Sequence, residues 1–63
     1  MILNRETIAR AGLALLDEKG SDGLTMRALA ASLGVQAPAL YWHVKNRREL
    51  IDLMGEAIMS DAH

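Results

Sequence analysis

The sequence has no cysteine and no phenylalanine, only one proline, one tyrosine and one tryptophan, and no long hydrophobic run. Each absence closes a class of answer. Without cysteine there is no disulfide framework, no thiolate zinc site and no thiol nucleophile, and the chain suits a reducing compartment. Its longest apolar stretch, Ala11 to Leu16 with its glycine, falls far short of the roughly 20 residues that span a bilayer. The first residues, Met1 to Glu6, meet charge at once, unlike a targeting segment. A soluble, cytoplasmic chain is expected, with no membrane partner. At 63 residues one small domain buries only about 60% of the surface its unfolded form exposes. Its stability must come from close apolar packing or from a partner.

The net charge of −1 conceals a segregation. From Gly23 to Arg48 the cations Arg27, Lys45, Arg47 and Arg48 stand with no Asp or Glu among them, while all eight acids lie outside that window. A basic zone between acidic flanks can attract phosphate although the overall balance is acidic. Short windows also drift in charge by chance, so this feature alone does not decide a function.

Strand-type alternation, repeats and linkers are absent, and helical spacing dominates. The expected class is all-α, a small helical bundle with helices over about 5–18, 26–33, 37–44 and 47–60. Asn4 is a good N-cap for the first helix, and Ile8, Ala11, Gly12, Leu15 and Leu16 share one apolar face. Lys19-Gly20 should end it, leaving Gly20 to Gly23 as a loop. That loop lacks the Lys-Ser/Thr of a phosphate cradle, so its glycines read as turn residues. Thr25 caps a second helix whose inward residues are Leu29, Ala30 and Leu33. Gly34 ends it, and Pro38 suits the first turn of a third. Asn46 and Glu49 resemble a capping box for the fourth, which carries a wide apolar surface through Leu50, Ile51, Leu53, Met54, Ala57 and Ile58.

Two helices a tight turn apart suggest a helix-turn-helix, in which a small residue sits at the crossing, glycine at the turn and aliphatic side chains pin the second helix. Ala30, Gly34, Leu40 and Val44 fill those positions. An ordinary αα-hairpin could show the same pattern. The segment "APALYWHVKN" weighs on the choice: with Leu40 and Val44 inward, Pro38, Tyr41 and Trp42 turn outward, flanked by Ala37, Ala39 and His43. Burying both aromatics in the core is the rival arrangement. Exposed aromatics beside cations are what a nucleic-acid surface uses. Arg47 and Arg48 oppose their own helix dipole, a cost that a docked phosphate would relieve.

On these residues, "GSDGLTMRALAASLGVQAPALYWHVKNRREL" resembles the DNA-binding domain of the tetracycline-repressor (TetR) family, and the Leu40–Asn46 run is similar to the recognition-helix segment of the family's namesake. The likeness spans nearly the whole chain. It implies that residues 1–63 form the DNA-binding head of a transcriptional repressor, which binds a palindromic operator as a homodimer and releases it when a small-molecule inducer occupies a separate C-terminal domain. That ligand-binding and dimerisation domain is expected to be absent from these 63 residues, so no cofactor belongs to this domain, and for the head alone both a monomer and self-association through the apolar face of the fourth helix stay open. Bacterial cytoplasm, with attachment to the nucleoid through DNA, is the implied location.

The resemblance also implies roles. Arg27 matches an arginine that contacts a base, while Pro38 and Trp42 match residues along base and sugar edges. Thr25, Tyr41 and His43 match positions on the phosphate backbone, and Arg47 matches a phosphate-binding lysine. Lys45, inside the basic zone, is expected to contact phosphate as well. Gln36, Ala37 and Ala39 depart from the namesake's glutamate, glutamine and threonine, so a different operator is expected, with Gln36 reading a base edge and Ala37 meeting a thymine methyl. Gln36 is also a weak N-cap, so the third helix should fray without DNA.

An enzyme is not expected: His43 and His63 are far apart in sequence without a third ligand at metal spacing, and so small a chain has little room for a pocket. The competitor is a small helical protein-interaction module anchored by Trp42 and the fourth helix. The two differ in their response to salt. Trp42 fluorescence should change when duplex DNA is added at low salt, and the change should weaken as salt rises; a silent or salt-independent signal would favour the protein-interaction module.

Overall fold

Asn4 begins the fold with its side chain: Oδ1 accepts from the Thr7 N–H at 2.8 Å, and its carbonyl takes the Ile8 N–H at 3.0 Å. In the computed structural model, which describes residues 3–61 and side chains as far as Met59, four helices follow. They are α1 (Arg5–Gly23), α2 (Met26–Leu33), α3 (Ala37–Tyr41) and α4 (Arg47–Asp61). No strand occurs among the described residues. His63 lies outside them.

The first helix is longer than the sequence suggests. It breaks at Gly20, whose φ of 75° and ψ of −179° are non-helical, and then resumes for one turn through Gly23. The expected loop is therefore a kink and a helical turn, closed by the Leu24 N–H on the Ser21 carbonyl at 3.2 Å. Only glycine takes such a conformation without strain. The kink redirects the chain so that Leu24 enters the core, 2% exposed.

At α2 the local signals act together. Thr25 Oγ1 accepts from the Ala28 N–H at 3.0 Å, and Gly34 adopts the left-handed conformation at φ 71° and ψ 29°. The Gly34 N–H then reaches the Ala31 carbonyl and the Val35 N–H reaches that of Ala30. This pair of bonds is a Schellman motif, and the half-buried Val35 supplies its apolar contact. The turn into α3 is thereby fixed by backbone chemistry.

The core is wholly apolar. Ile8, Leu24, Leu29, Leu40 and Leu50 are its largest fully buried side chains, and no polar or charged side chain is buried among the described residues. Helix α4 lies on α1, α1 also carries α2, and α2 carries α3. Gly12 permits the first contact: a Cβ there would lie 2.8 Å from Met54 Sδ and 3.4 Å from Leu50 Cδ1. Leu16, expected on the inner face, is instead 36% exposed, and the buried residues of α1 are Ile8, Ala9, Gly12 and Leu15. The wide apolar surface of α4 divides: Leu50, Leu53 and Met54 are buried, whereas Ile51, Ile58 and Met59 face solvent.

The third helix ends at Tyr41 rather than Val44. The Leu40 carbonyl accepts from both the His43 and Val44 N–H groups, at 3.0 and 3.1 Å, which tightens the last turn. Val44 is still drawn inward, 3% exposed. The fourth helix also starts differently in detail: Asn46 Oδ1 accepts from the Glu49 N–H at 2.9 Å as expected, but Glu49 Oε1 accepts from the Lys45 N–H and not from the cap's own.

Two glycines should respond to alanine with opposite signs. Gly34→Ala meets no atom within 4 Å but must hold a positive φ, and should cost about 1–2 kcal/mol. Gly55→Ala, inside α4 with open space around its Cβ, should raise stability by about 0.5–1 kcal/mol. Urea melts followed by circular dichroism measure both changes.

Candidate nucleic-acid interface

The acid-free zone between Gly23 and Arg48 covers α2, the turn, α3 and the link to α4. Its charges are uncompensated. Arg5 pairs with Glu56 at 2.9 Å and Arg10 with Glu6 at 3.1 Å, whereas Arg27, Lys45 and Arg48 make no ion pair among the described residues. Cations left without partners in one stretch of chain keep their attraction for phosphate.

Thr25 and Arg27 occupy the start of α2, both exposed. The Thr25 hydroxyl uses its oxygen to cap Ala28, which leaves its proton available to a second acceptor such as a phosphate oxygen. Leu29, Ala30 and Leu33 hold the other side of α2 in the core.

Across the turn, Gln36 stands at the N-cap of α3 in extended conformation and makes no side-chain cap bond. Its amide is free to meet a ligand. Pro38 occupies the first turn of α3 and is exposed, with Ala37 and Ala39 half-buried beside it. Leu40 is fully buried, while Tyr41 is 46% and Trp42 88% exposed. The alternative in which both aromatics fill the core is not what the fold adopts. Leucine and valine anchor this segment and the aromatics are left to the solvent.

His43 and Lys45 follow on the exposed link. His43 borders a shallow cleft of about 160 Å³ that it shares with Arg5, Glu49 and Asp52, so it lies toward α4. Arg47 behaves differently from the other cations. Its Nε donates to the Leu24 carbonyl at 2.9 Å, and its Nη2 donates to the Ser21 carbonyl at 3.1 Å and to Ser21 Oγ at 3.2 Å. The electrostatic cost of a cation at the α4 N-terminus is thus offset inside the chain, by carbonyls at the end of α1. Nothing in the sequence marks Ser21 and Leu24 for this role, because main-chain acceptors leave no signature in residue identity. Arg48 is exposed, without such anchors.

Ala30 lies 5% exposed in the core and Gly34 forms the turn, with Leu40 and Val44 inward. No group of His, Asp or Glu placed to hold a metal ion occurs among the described residues, and no helix there is long and apolar enough to cross a membrane.

Comparison with known proteins agrees with this geometry. The model of the family described as "Bacterial regulatory proteins, tetR family" matches residues 8–54. The tetracycline repressor protein class A from transposon 1721 of Escherichia coli is 54% identical over 61 residues, which are 97% of this chain and 28% of that protein. A TetR-family transcriptional regulator of Streptomyces coelicolor superposes with a TM-score of 0.90 at 43% identity, over 100% of this chain and 38% of that one. A TetR variant from Acinetobacter baumannii in complex with minocycline does so with a TM-score of 0.88 at 48% identity, over 95% of this chain and 34% of that one. The chain therefore spans about a third of the length of these relatives. It belongs to the tetR family of bacterial regulatory proteins, regulators rather than enzymes, and carries that family's helix-turn-helix DNA-binding domain.

Proposed function

We propose that the chain reads one half-site of a palindromic operator through the major groove, as the DNA-binding head of a cytoplasmic, ligand-responsive repressor that acts as a homodimer. The observation that carries this reading is the division of one short segment: Leu40 is fully buried while Trp42, two residues on, is 88% exposed. Leaving a tryptophan in water forgoes a large apolar burial. A nucleic-acid surface recovers it.

Within that reading, Arg27 makes a bidentate contact to a guanine, and Gln36 reads a neighbouring base edge. Ala37 approaches a thymine methyl group, and Pro38 and Trp42 lie along base and sugar edges. Thr25, Tyr41, His43 and Lys45 hold the phosphate backbone and set the register. Ala37 and Ala39 replace longer polar side chains of the family's namesake, so the preferred operator differs. The minocycline complex of the related TetR variant supports a small-molecule ligand for the repressor. The exposed Ile51, Ile58 and Met59 of α4 offer an apolar surface for further chain to cover.

The protein-interaction alternative assigns Trp42 and α4 to a protein partner. It leaves the unpaired Arg27, Lys45 and Arg48 without a role. Selection of bound sequences from a random duplex pool separates the two, since only a DNA reader enriches a common half-site. With that half-site in hand, Arg27→Ala should lose about 1–3 kcal/mol of discrimination at one base pair and little elsewhere. Dissociation constants over a panel of single-base variants measure this. A uniform loss at every position would remove Arg27 from base reading.

A further inference from the structure

The geometry points to Arg47 as a positioning residue for DNA reading, one that sets the N-terminus of α2 from α4 instead of gripping a phosphate itself. The inference rests on the DNA-binding reading above and refines it. Helix α4 is laid on α1, whereas α2 is laid on α1 and α3. The Arg47 guanidinium spans the gap in side-chain terms, with Nε on the Leu24 carbonyl and Nη2 on both the carbonyl and hydroxyl of Ser21. Leu24 directly precedes Thr25, the cap of α2. Arg47 therefore fixes the peptide from which Thr25 and Arg27 project.

Three observations make the link specific. The acceptors belong to the short turn after the Gly20 kink, the segment that leads into α2. The bond from Nε is partly buried, so water competes with it less than with an exposed pair. Nε and Nη2 diverge from one rigid plane, and that fork satisfies acceptors on two residues three positions apart. A lysine, with all its donors on one nitrogen, cannot reproduce the arrangement. Charge is thus insufficient at this position and shape is required.

The test is a comparison of Arg47→Lys, Arg47→Ala and Ser21→Ala in the 63-residue chain, with a duplex carrying the half-site recovered by selection as the probe and binding measured across a salt series. Thermal melts establish that each variant is folded at the assay temperature. Arg47→Lys should bind about tenfold more weakly although it keeps the charge. The salt slope of both Arg47 variants should stay at the wild-type value, because no phosphate contact has been removed. Ser21→Ala, which alters no cation, should weaken binding about two- to threefold with the same slope. In the Arg27→Ala background the cost of Arg47→Lys should largely vanish, since there is then no base contact to misplace. A general loss of folded protein would instead persist in that background.

Wild-type affinity in Arg47→Lys, together with a slope reduced by about 0.9 in Arg47→Ala, would make Arg47 a phosphate contact and overturn the inference. Additive effects of Arg27→Ala and Arg47→Lys would overturn it too. A wild-type chain that binds no duplex at low salt would remove the DNA-binding reading, and this role with it; binding by wild type with either of the preceding results removes only the role of Arg47.

Discussion

The burial of Leu40 beneath a helix of five residues is the contact on which the rest of this structure depends. Isolated helices shorter than about 12–15 residues are marginal in water, so α3 exists because its one fully buried side chain, worth about 1.5–3 kcal/mol, is docked on a core already built by α1, α2 and α4. Val44 continues that anchor past the helix end. Everything exposed on the segment follows from it. Once Leu40 and Val44 point inward, helical geometry leaves no inward direction for Tyr41 and Trp42.

A docked helix this short would still swing if its approach were loose. The Schellman turn at Gly34 removes that freedom by committing two amides to the carbonyls of Ala30 and Ala31. At the other end of α2, Thr25 fixes the first turn and Arg47 holds the peptide before it. The proposed reading surface is thus carried by bonds to the main chain, and most of its side chains are spared. Arg27, Gln36 and Lys45 remain uncommitted while the cations on α1 that pair with glutamate lie outside the zone.

Much of this was legible in the residues. Asn4, Thr25, Gly34 and Asn46 act through local chemistry with neighbours three or four positions away, and each does what its type favours. The inward set of α2 followed from spacing, whereas spacing left open the burial of the aromatics that the fold exposes. The differences arise where two elements compete. Lys19-Gly20 looked like a helix end, yet the chain resumes for one more turn because Leu24 must return to the core. The third helix looked longer, but the carbonyl of Leu40 tightens to serve two amides before α4 begins. Leu16 satisfied the apolar period of α1 and still faces outward, since the buried face stops at Leu15.

The sequence by itself determined the helical class, the caps, the order of the four helices and the identity of the aromatic segment, because each depends on interactions within one turn or on a period of 3.6 residues. It also set the separation of acids from cations, which needs no fold. Tertiary structure alone decided which cations stay free. Arg27 and Arg47 read alike as letters, and only the arrival of the Ser21 and Leu24 carbonyls beside α4, across 26 and 23 positions of chain, engages the donors of one of them. Long-range encounters of that kind are set by how α1 turns at Gly20 and where α4 crosses Gly12. No local pattern encodes them.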